Sequence, residues 1–409
     1  MKILFIHQYA FGPSVPGFTR PIEIMAQLVK RNHTATMISG MYSHLTRKKV
    51  PMYKKHLLGK ENILGVDVYR VSGLFNLTSS LNKLFHHVIF MILSMCRGLF
   101  VPRFDIVIAS SPSPFVGLAG FILSRLKGVP LVLEVRDLWP EDLIQEGLMD
   151  PGLSTFLMEK LMNYLYVKSA LILAVTSGIR DGIIRRGISE SKVILVTNSV
   201  NIDLFNQKTD ADEVRREIGI NNEFVALYAG NHGISNALST VIEAARLLRD
   251  EKNISFLMAG EGEEKNNLIQ LSRQYGLENI KFLSAQPKSR MPAVFAAANA
   301  SIVPLKNVPV YEGALPNKLL DSMASGTPVI LATGEEARRV IRDSGGGLCV
   351  EPENATQLAE AVLQLAKDKK TTSLMGNNAQ RYAFENYSHE KLAVKLEKEL
   401  LDVVARFSS

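Results

Sequence analysis

The sequence predicts an α/β protein with two doubly wound, Rossmann-like domains. The chain has 409 residues, which is more than one hydrophobic core usually serves. Short apolar runs alternate with helical patterns, as in parallel sheets that are covered by helices on both faces. The alternation restarts after a polar stretch at residues 198–222, where we place the link between the domains.

In the first half, the largely apolar run KILFI at 2–6 predicts a buried strand, and a Gly/Pro loop follows it. A helix from Arg20 to about Arg31 is predicted because Ile22, Met25 and Val29 recur on one face. The same criteria place strands at 34–38, 66–71, 105–109, 130–135, 171–175 and 193–196, and helices near 82–100, 114–126, 153–168 and 177–186.

The second half repeats the pattern, and glycine-containing turns follow its first two strands. Strands are predicted at 224–228, 255–259, 280–283, 300–303 and 328–331, with helices at 236–249, 264–275, 290–297 and 317–325 and a final amphipathic helix at about 388–407. We assign residues 1–200 and 201–384 to the two domains and 385–409 to the terminal helix. In open α/β sheets ligands bind off the carboxyl ends of strands, so we expect ligands in a cleft between the domains.

Charge is divided unevenly between the halves. Residues 1–200 hold 23 Lys and Arg against 13 Asp and Glu, whereas residues 201–409 hold 24 against 27. A basic first half indicates an anionic partner, either a membrane surface or nucleic acid. The basic runs at 47–49 and 54–55 and the apolar segment 82–101 favour an anionic membrane surface, with Lys48 and Lys49 as contacts.

The composition excludes several other classes. Two cysteines, Cys96 and Cys349, cannot form a disulfide framework, which indicates a reduced, cytoplasmic compartment. The N-terminus lacks the pattern of a signal peptide, and the longest apolar run, 88–96, is too short to span a bilayer. With no Cys/His cluster in the sequence, we expect no metal.

The strongest chemical signal is residues 311–332, which read YEGALPNKLLDSMASGTPVILA. Pro316 and Asn317 open a short helix, with Asn317 as a suitable N-cap. Lys318 lies in the first turn, where the helix dipole disfavours a cation, so a bound phosphate would account for it. Glu312 precedes the helix and Asp321 lies one turn inside it. An ordinary capped surface helix is the alternative.

This segment resembles the donor-binding signature of retaining GT-B glycosyltransferases of family four. The match is to the form found in bacterial enzymes similar to the N-acetyl-L-fucosamine transferases of O-antigen and capsule assembly. Further matching segments are MYSHL at 41–45, VPLVLEVRDLWPEDL at 129–143, ILVTNSVNIDLF at 194–205, LYAGNHGISNALSTVIEAA at 227–245 and FLMAGEGEEKNNL at 256–268. The resemblance implies a GT-B fold, with two Rossmann-like domains facing a cleft and a terminal helix crossing back to the first domain.

The resemblance also assigns a donor site to the second domain. Two departures matter: Glu312 and Asp321 are separated by eight residues rather than seven, and the Arg and Lys that many relatives carry after strand 224–228 are absent. Lys318 is therefore the expected cation for the diphosphate, with Lys288 and Arg290 as alternatives. The expected donor or nucleotide residues are Gly230, Asn231, Gly233, Glu261, Gln286, Lys288, Arg290, Leu315, Pro316, Asn317 and Asp321, and the expected catalytic residues are Arg136, Asp137, Glu312 and Lys318.

For the first domain the resemblance implies an acceptor-side loop. Its expected residues are His7, Gly12, Gly17 and Arg20. Arg136 and Asp137 follow strand 130–135, and they either face the donor and acceptor or form a structural ion pair. Trp139 either packs the loop or stacks on a sugar. We expect Glu141 and Asp142 to be solvated, and His86 and His87 to lie at the surface or at an interface.

The expected function is transfer of a sugar, a HexNAc or deoxy-HexNAc, from a UDP-linked donor to a polyprenyl-diphosphate-linked saccharide. The resemblance implies retention, no metal cofactor, and a cytoplasmic location on the inner face of the plasma membrane. Two alternatives stay open. One is a GT-B-fold UDP-sugar epimerase, and the other is a basic nucleic-acid-binding protein, although no nucleic-acid-binding motif accompanies the basic runs.

Overall fold

The computed structural model describes residues 1–43, 45, 48–73, 80–111, 113–207, 209–221 and 223–408, with backbone only for 80, 81, 83 and 408. Arg47, the first residue of the basic run at 47–49, lies outside these residues. The chain forms two compact units. Unit 1 comprises Met1–Pro13, Gly17–Thr197 and His389–Ser409, and unit 2 comprises Ser14–Pro16 and Asn198–Ser388. The chain therefore leaves unit 1 after Thr197 and returns to it at His389.

Unit 1 contains a largely parallel sheet. Its strands are Lys2–His7 (β1), Thr34–Gly40 (β2), Leu58–Ile63 (β3), Val66–Val71 (β4), Ile106–Ser110 (β5), Leu131–Val135 (β6), Leu171–Ala174 (β7) and Val193–Leu195 (β8). Their spatial order is β3-β4-β2-β1-β5-β6-β7-β8, and only β3 runs antiparallel to its neighbour. In register, Ile3 of β1 lies between Ala35 of β2 and Ile106 of β5.

Unit 2 contains a parallel sheet of six strands. They are Phe224–Ala229 (β9), Ile254–Ala259 (β10), Ile280–Leu283 (β11), Ala300–Pro304 (β12), Val329–Ala332 (β13) and Gly347–Cys349 (β14), in the order β11-β10-β9-β12-β13-β14. The order changes direction at β9 and β12, which is where open α/β sheets bind ligands beyond the carboxyl ends of their strands.

Helices cover both faces of each sheet. In chain order they are Arg20–Lys30 (α1), Ser80–Leu99 (α2), Pro114–Lys127 (α3), Glu141–Gln145 (α4), Leu153–Lys168 (α5), Ser177–Arg185 (α6), Ile202–Phe205 (α7), Ala211–Ile218 (α8), Ser239–Leu247 (α9), Lys265–Gln274 (α10), Met291–Ala296 (α11), Asn317–Ala324 (α12), Glu335–Ser344 (α13), Ala355–Lys367 (α14), Lys369–Asn386 (α15) and His389–Ser408 (α16).

Each unit has an apolar cluster on either side of its sheet. In unit 1, Leu4 and Ile6 of β1 enter one cluster and Ile3 and Phe5 enter the other, as the period of two in a strand requires. Two further clusters occupy the corresponding positions in unit 2. The structure confirms the predicted α/β class with two doubly wound domains.

The last helix, α16, belongs to unit 1 and packs on α1. Leu396 and Leu400 are buried there with residues of β1 and α1. At the surface, Arg31 Nε donates to Glu397 Oε2 at 2.5 Å, and the His33 ring Nε2 lies 2.7 Å from Glu397 Oε1. Apolar burial and charged contacts both hold this helix to the sheet.

The fold contains elements that the sequence analysis did not predict. They are strands β3 and β14 and helices α4, α13, α14 and α15. The link that we treated as polar and irregular contains α7 and α8. Helix α8 is capped by Asp210, whose carboxylate accepts from the N–H groups of Asp212 and Glu213, so local capping makes a helix in a segment with little apolar periodicity.

Candidate functional site

Two glycine turns lie against each other at the carboxyl end of the sheet in unit 2. The turn at 230–233 follows β9, and the turn at 260–264 follows β10. Gly230 N donates to Ala259 O at 2.9 Å. A Cβ on Gly260 would lie 1.8 Å from the Gly230 carbonyl oxygen, and one on Gly262 would lie 2.4 Å from the backbone of His232. The turns therefore approach more closely than residues with side chains allow.

Helix α12 begins differently from the sequence expectation. Asn317 is its first helical residue and not its N-cap. Pro316 precedes the helix in an extended conformation, with φ −65° and ψ 141°, and supplies no side-chain hydrogen bond. The proline fixes φ, and the chain enters the helix directly after it. Lys318 thus lies within the first turn, as predicted.

The ammonium group of Lys318 contacts Tyr228 of β9 and Asn236, which closely follows the first glycine turn. Its Nζ donates to Tyr228 Oη at 3.1 Å and to Asn236 Oδ1, and it lies 4.8 Å from the centroid of the Tyr228 ring. Tyr228 Oη and Asn236 Nδ2 both donate in turn to the carbonyl oxygen of Asn231, at 2.6 and 2.9 Å. One lysine therefore joins the start of α12 to the turn at 230–233.

The two groups that accept hydrogen bonds from Lys318, the Tyr228 hydroxyl and the Asn236 amide oxygen, are neutral, and Lys318 is half-buried. Burial accordingly lowers the pKa of Lys318 to about 7. A cation in such a position lacks the charge compensation that a buried ammonium group normally has. An anion bound at the carboxyl end of this sheet would supply it.

The other predicted donor cations already have acidic partners. Lys288 Nζ lies 2.5 Å from Asp321 Oδ2, and each of the two side chains is 17% exposed. Arg290 contacts Glu217 and donates to Gln286 Oε1 at 2.8 Å. Lys318 therefore differs from them in its neutral surroundings.

Among the predicted acids, Glu261 Oε1 accepts from Lys265 Nζ at 2.6 Å, and its carbonyl oxygen accepts from His232 N at 2.8 Å. Glu312 is exposed and accepts from the N–H of Glu335 at 3.0 Å, which places its carboxylate at the start of α13. It therefore caps that helix, and its predicted role near the sugar stays a prediction.

The predicted donor residue Leu315 is held by Asn198, which lies in the segment ILVTNSVNIDLF at 194–205. Its side chain is 3% exposed within a core cluster of unit 2. Its carbonyl oxygen accepts from Asn198 Nδ2 at 2.8 Å. This bond fixes the segment that leads into α12, so Leu315 takes part in positioning Pro316 and Lys318.

Unit 1 brings charged groups together at the carboxyl ends of β1 and β6. Arg20 Nη1 lies 2.7 Å from Glu134 Oε1, and both side chains are buried. Burial raises the pKa of Glu134, but Arg20, Arg136 and Ser110 outweigh it and hold that pKa at about 2. Arg20 also donates to the carbonyl oxygens of Val196 and Thr197. Its side chain therefore stabilises the packing of the start of α1 against β6 and the segment after β8.

His7 ends β1 close to this ion pair. Its Nδ1 accepts from Tyr9 N at 3.1 Å, so the proton of the neutral ring is on Nε2. Burial and the nearby charge of Arg136 lower the pKa of His7 to about 3. Its Nε2 has no hydrogen-bond partner among the described residues. In the same loop, the Cβ positions of Gly12 and Gly17 would each lie 3.0 Å from a neighbouring side chain, Ile63 and Phe11 respectively.

Arg136 and Asp137 follow β6 without a mutual ion pair among the described residues. The Arg136 guanidinium lies 5.2 Å from the centroid of Phe18, and its backbone N–H donates to Ser111 Oγ. Burial lowers the pKa of Arg136 and raises that of Asp137. The sequence analysis left open that Arg136 and Asp137 form a structural ion pair with each other. No such pair occurs in the part of the chain that the structure describes.

Two expectations in this region are wrong. Asp142 is buried rather than solvated: its Oδ2 accepts from Leu138 N at 2.6 Å, and burial together with Asp137 raises its pKa to about 7. His86 is 2% exposed, since its ring packs between Tyr9 and Tyr42. The half-buried His87 lies edge-on to Trp139, with ring centroids 6.5 Å apart.

Two family models match successive parts of the chain. The model of Glycosyltransferase Family 4 matches residues 20–204, and that of Glycosyl transferases group 1 matches residues 210–382. The chain is a glycosyltransferase of this family four and group 1 type. Helices α15 and α16 extend beyond the second match.

A relative agrees with this assignment, and solved structures share the fold. The chain is 27% identical over 316 residues to the putative colanic acid biosynthesis glycosyl transferase WcaI of Escherichia coli, covering 74% of this chain and 77% of the relative. HepE of Anabaena in complex with UDP and glucose is 18% identical, with a TM-score of 0.73 and coverage of 98% and 99%. WaaG, a glycosyltransferase involved in lipopolysaccharide biosynthesis, has a TM-score of 0.66 at 15% identity, over 96% and 98% of the two chains. The fold is GT-B.

Sequence reasoning missed three residues of the candidate site in unit 2. Tyr228 and Asn236 hold Lys318. His232 is fully buried between the two glycine turns, where burial lowers its pKa to about 4 and both ring nitrogens lack a partner within the described residues. Tyr228 lies in β9, His232 lies in the turn at 230–233, and Asn236 ends the short 3-10 helix that follows this turn. These positions were the available signal, because residues that directly follow a strand of such a sheet often contact ligands.

Two observations concern cofactors and membranes. In the described part of the glycosyltransferase, no group of three or more His, Cys, Asp or Glu side chains could hold a metal ion. Across the same residues, no helix is long and apolar enough to cross a membrane.

Proposed function

We propose that the protein transfers a sugar from a nucleotide sugar, with retention, to a polyprenyl-diphosphate-linked saccharide in bacterial surface polysaccharide synthesis. The observation that carries the proposal is the Lys318 ammonium group, held by neutral side chains beside two close-packed glycine turns. A diphosphate is the anion that suits this position. HepE binds UDP, which supports a UDP-linked donor. WcaI is named for colanic acid biosynthesis and WaaG for lipopolysaccharide biosynthesis, which supports a role in surface polysaccharide synthesis, proposed to be that of O-antigen or capsule.

The donor is proposed to carry a HexNAc or deoxy-HexNAc. In the transfer, the bond from the anomeric carbon to the leaving phosphate oxygen breaks. The acceptor hydroxyl oxygen bonds to that carbon on the same face and gives its proton to the leaving phosphate. Lys318 and the N–H groups that begin α12 would stabilise the charge developing on the diphosphate. The protein thus contributes positioning and charge stabilisation.

Residues of unit 1 are proposed to serve the acceptor side. The unpaired Nε2–H of His7 and the guanidinium group of the half-buried Arg136, whose Nη1 has no partner among the described residues, are available to acceptor hydroxyl or phosphate oxygens. Asp137, whose pKa is raised by burial, would accept from a hydroxyl group. We place the enzyme in the cytoplasm, at the inner face of the plasma membrane, where such acceptors are anchored.

The test is a panel of UDP-linked sugars incubated with a polyprenyl-diphosphate-linked saccharide, measuring UDP release and product mass. The expected result is an acceptor extended by one sugar, at a rate unchanged by a chelator, because cations of the protein neutralise the diphosphate. Loss of activity with chelator and its recovery with Mg²⁺ or Mn²⁺ would contradict the metal-independent part. An isomerised donor formed without acceptor would establish an epimerase instead.

A further inference from the structure

The carboxyl group of Asp142 contacts the backbone that leaves β6, and the proposed chemistry does not use it. Asp142 belongs to α4 and is 8% exposed. Its Oδ2 accepts from Leu138 N at 2.6 Å, and its own N–H donates to the Leu138 carbonyl oxygen at 3.1 Å. Asp142 and Leu138 therefore exchange two hydrogen bonds, which close the turn between β6 and α4.

The position of Asp142 is unfavourable for an acid. Its Oδ1 is buried and has no hydrogen-bond partner among the described residues. Burial and the nearby charges of Asp137, Glu146 and Glu141 raise its pKa to about 7. An acid that only balanced the dipole of a helix would be more stable at the surface. The hydrogen bond to the Leu138 N–H is therefore what this buried carboxyl group contributes.

That hydrogen bond holds the residue directly after Asp137. On the other side of Asp137, the Arg136 N–H donates to Oγ of the buried Ser111 at 3.2 Å. Side chains thus hold the N–H groups of both neighbours of Asp137. The groups of an active site have to be kept within about 0.5 Å of their productive positions by the residues around them. Ser111 and Asp142 provide such support for the Asp137 backbone.

Packing against α5 and α6 holds the same turn in place. Leu138 is 7% exposed in the core of unit 1, and a Cβ on Gly182 of α6 would lie 2.4 Å from Leu138 Cδ1. Arg186, directly after α6, has its Nη2 3.1 Å from Glu141 Oε1 of α4. The Arg186 guanidinium also lies 5.8 Å from the ring centroid of Tyr166 in α5. Helix α4 is therefore attached to both helices, which keeps the acceptor of the Leu138 N–H in place.

We propose that Asp142 is a positioning residue for the sugar transfer: by holding the Leu138 N–H, it directs the Asp137 carboxylate to the acceptor hydroxyl group. Asp142 acts through Asp137 and does not itself contact the sugar. A displacement of about 1 Å in a site can lower a rate by about 10²-fold. The inference rests on the proposed function, which assigns Asp137 to the acceptor side, and it adds the residue that holds Asp137 there.

Trp139, the only tryptophan of the sequence, allows this turn to be observed without any substrate. It lies two residues after Asp137 and is half-buried, with its ring edge-on to His87. Asp142→Ala should release the Leu138 N–H, shift the Trp139 emission to longer wavelength and increase its quenching by acrylamide. Asp142→Asn retains an oxygen that accepts from the Leu138 N–H, so its emission should be that of the unaltered chain.

The second experiment measures turnover as UDP release, with the same panel of UDP-linked sugars and the polyprenyl-diphosphate-linked saccharide. Asp142→Ala should lower kcat by about ten- to a hundredfold, leave the affinity for free UDP unchanged, and be rescued largely by Asp142→Asn. In an Asp137→Ala chain, Asp142→Ala should have no further effect on kcat, because the two residues act as one unit.

Asp105→Ala is the matched control. The Asp105 carboxylate also accepts from a backbone N–H at 2.6 Å, that of Lys2, but it does so at the amino ends of β1 and β5. The variant should therefore leave both the Trp139 emission and kcat unchanged. If Asp142→Ala does not fold, Asp142→Leu, which fills the buried space without an acceptor atom, replaces it in each measurement.

Three results would overturn the proposal: an unchanged Trp139 emission and normal kcat in folded Asp142→Ala, additive effects of Asp142→Ala and Asp137→Ala on kcat, or an Asp142→Asn chain as slow as Asp142→Ala. Failure of the proposed function gives a different pattern. Normal turnover by Asp137→Ala would contradict the acceptor role of Asp137 and this inference with it. Slow turnover by Asp137→Ala beside normal turnover by Asp142→Ala would overturn the inference alone.

Discussion

At the scale of single residues, the environment of Lys318 is the most informative feature of the site. A half-buried ammonium group held by a phenol and an amide is less stable there than in water, which is why its pKa is lowered to about 7. Lys288 and Lys265, by contrast, have carboxylate partners. A position that costs stability in the empty protein is expected where a ligand offsets the cost.

Replacing Lys318 by Ala should lower turnover by about 10²–10³-fold, because the leaving diphosphate loses one stabilising contact in the transition state. Lys318→Arg should restore part of the activity, since a planar guanidinium group does not replace a compact ammonium group in this cage. Rates of UDP release measure the effect. Lys252→Ala, at an exposed lysine of unit 2, is the control. Near-normal turnover by folded Lys318→Ala would make this lysine a structural residue.

When UDP binds at a pH above about 7, the protein should take up a proton at Lys318. The pKa of Lys318 in the empty protein is about 7, and a bound diphosphate favours the charged form and raises that pKa. Calorimetry at pH 8 in two buffers of different ionisation enthalpy should show buffer-dependent heats, and affinity should fall as pH rises further. Lys318→Met should remove the buffer dependence. Equal heats in both buffers for the unaltered protein would contradict this assignment.

The same lowered pKa has a consequence for stability. Between about pH 7 and the ordinary pKa of 10.5, the unfolded chain binds a proton at Lys318 that the folded chain does not, so this group makes stability rise with pH over that window. Denaturant titrations compare the unaltered chain with Lys318→Met. We expect the variant to be the more stable below pH 7 and the difference to shrink at higher pH. A constant difference across this range would be the contrary result.

Asp321 is predicted to bind the ribose hydroxyls, and the structure pairs it with Lys288 at 2.5 Å. Asp321→Ala should weaken UDP binding roughly tenfold, as expected for loss of a hydrogen bond to a charged group. Glu243→Ala, which breaks the ion pair with Arg246 elsewhere in unit 2, is the control and should leave UDP affinity unchanged. If the Asp321–Lys288 pair is only structural, Asp321→Ala should lower the free energy of unfolding and leave UDP affinity unchanged.

At the scale of elements, the two glycine turns must stay in contact for the site to exist. Gly260→Ala places a Cβ 1.8 Å from the Gly230 carbonyl oxygen, so the turns have to separate. We expect UDP affinity to fall strongly and the free energy of unfolding to fall by about 1–3 kcal/mol. Gly152→Ala, where the added Cβ meets nothing within 4 Å, should change neither. Unaltered UDP affinity in Gly260→Ala would place the donor elsewhere.

The strands show how far the sequence determines the fold. Buried parallel strands such as β1 and β10 are continuous apolar runs and could be located within one or two residues. Strand β3 reads LGKENI and alternates between exposed and half-buried residues at the sheet edge, whereas β14 has three residues. Neither β3 nor β14 contains a continuous apolar run, because such a run is typical of strands that are buried on both faces of the sheet. Helices α13 to α15 were not assigned.

The site shows a different limit. Resemblance to a family places Lys318 and Asp321 on one helix, but their partners are distant in sequence. Tyr228 lies 90 residues from Lys318, and Asn236 lies 82 residues from it. Only the order of strands in the folded sheet brings β9 beside α12. The assignment of Asn317 as N-cap was wrong for a local reason, since the preceding proline already fixes the backbone that enters the helix.

At the scale of the whole molecule, the chain consists of two units with separate apolar clusters on their own sheets. Each unit therefore contains what a cooperative folding unit needs. The polypeptide passes from unit 1 to unit 2 after Thr197 and returns at His389. A ligand that contacts residues of one unit alone should stabilise that unit selectively.

Scanning calorimetry should therefore resolve two unfolding transitions. UDP should raise the midpoint temperature of the transition that belongs to unit 2. At one hundred times its Kd, UDP should add about 2.7 kcal/mol to that unit. Leu396 of α16 is 3% exposed and packs in the cluster that contains residues of α1. Leu396→Ala leaves a cavity there, so it should lower the free energy of unfolding of unit 1 by about 2–5 kcal/mol and lower the midpoint temperature of the other transition. It should leave the UDP-dependent rise intact, whereas Lys318→Ala should abolish that rise. If UDP raised the transition that Leu396→Ala lowers, unit 1 would contribute to nucleotide binding, and the donor site would extend beyond the turns and helix of unit 2.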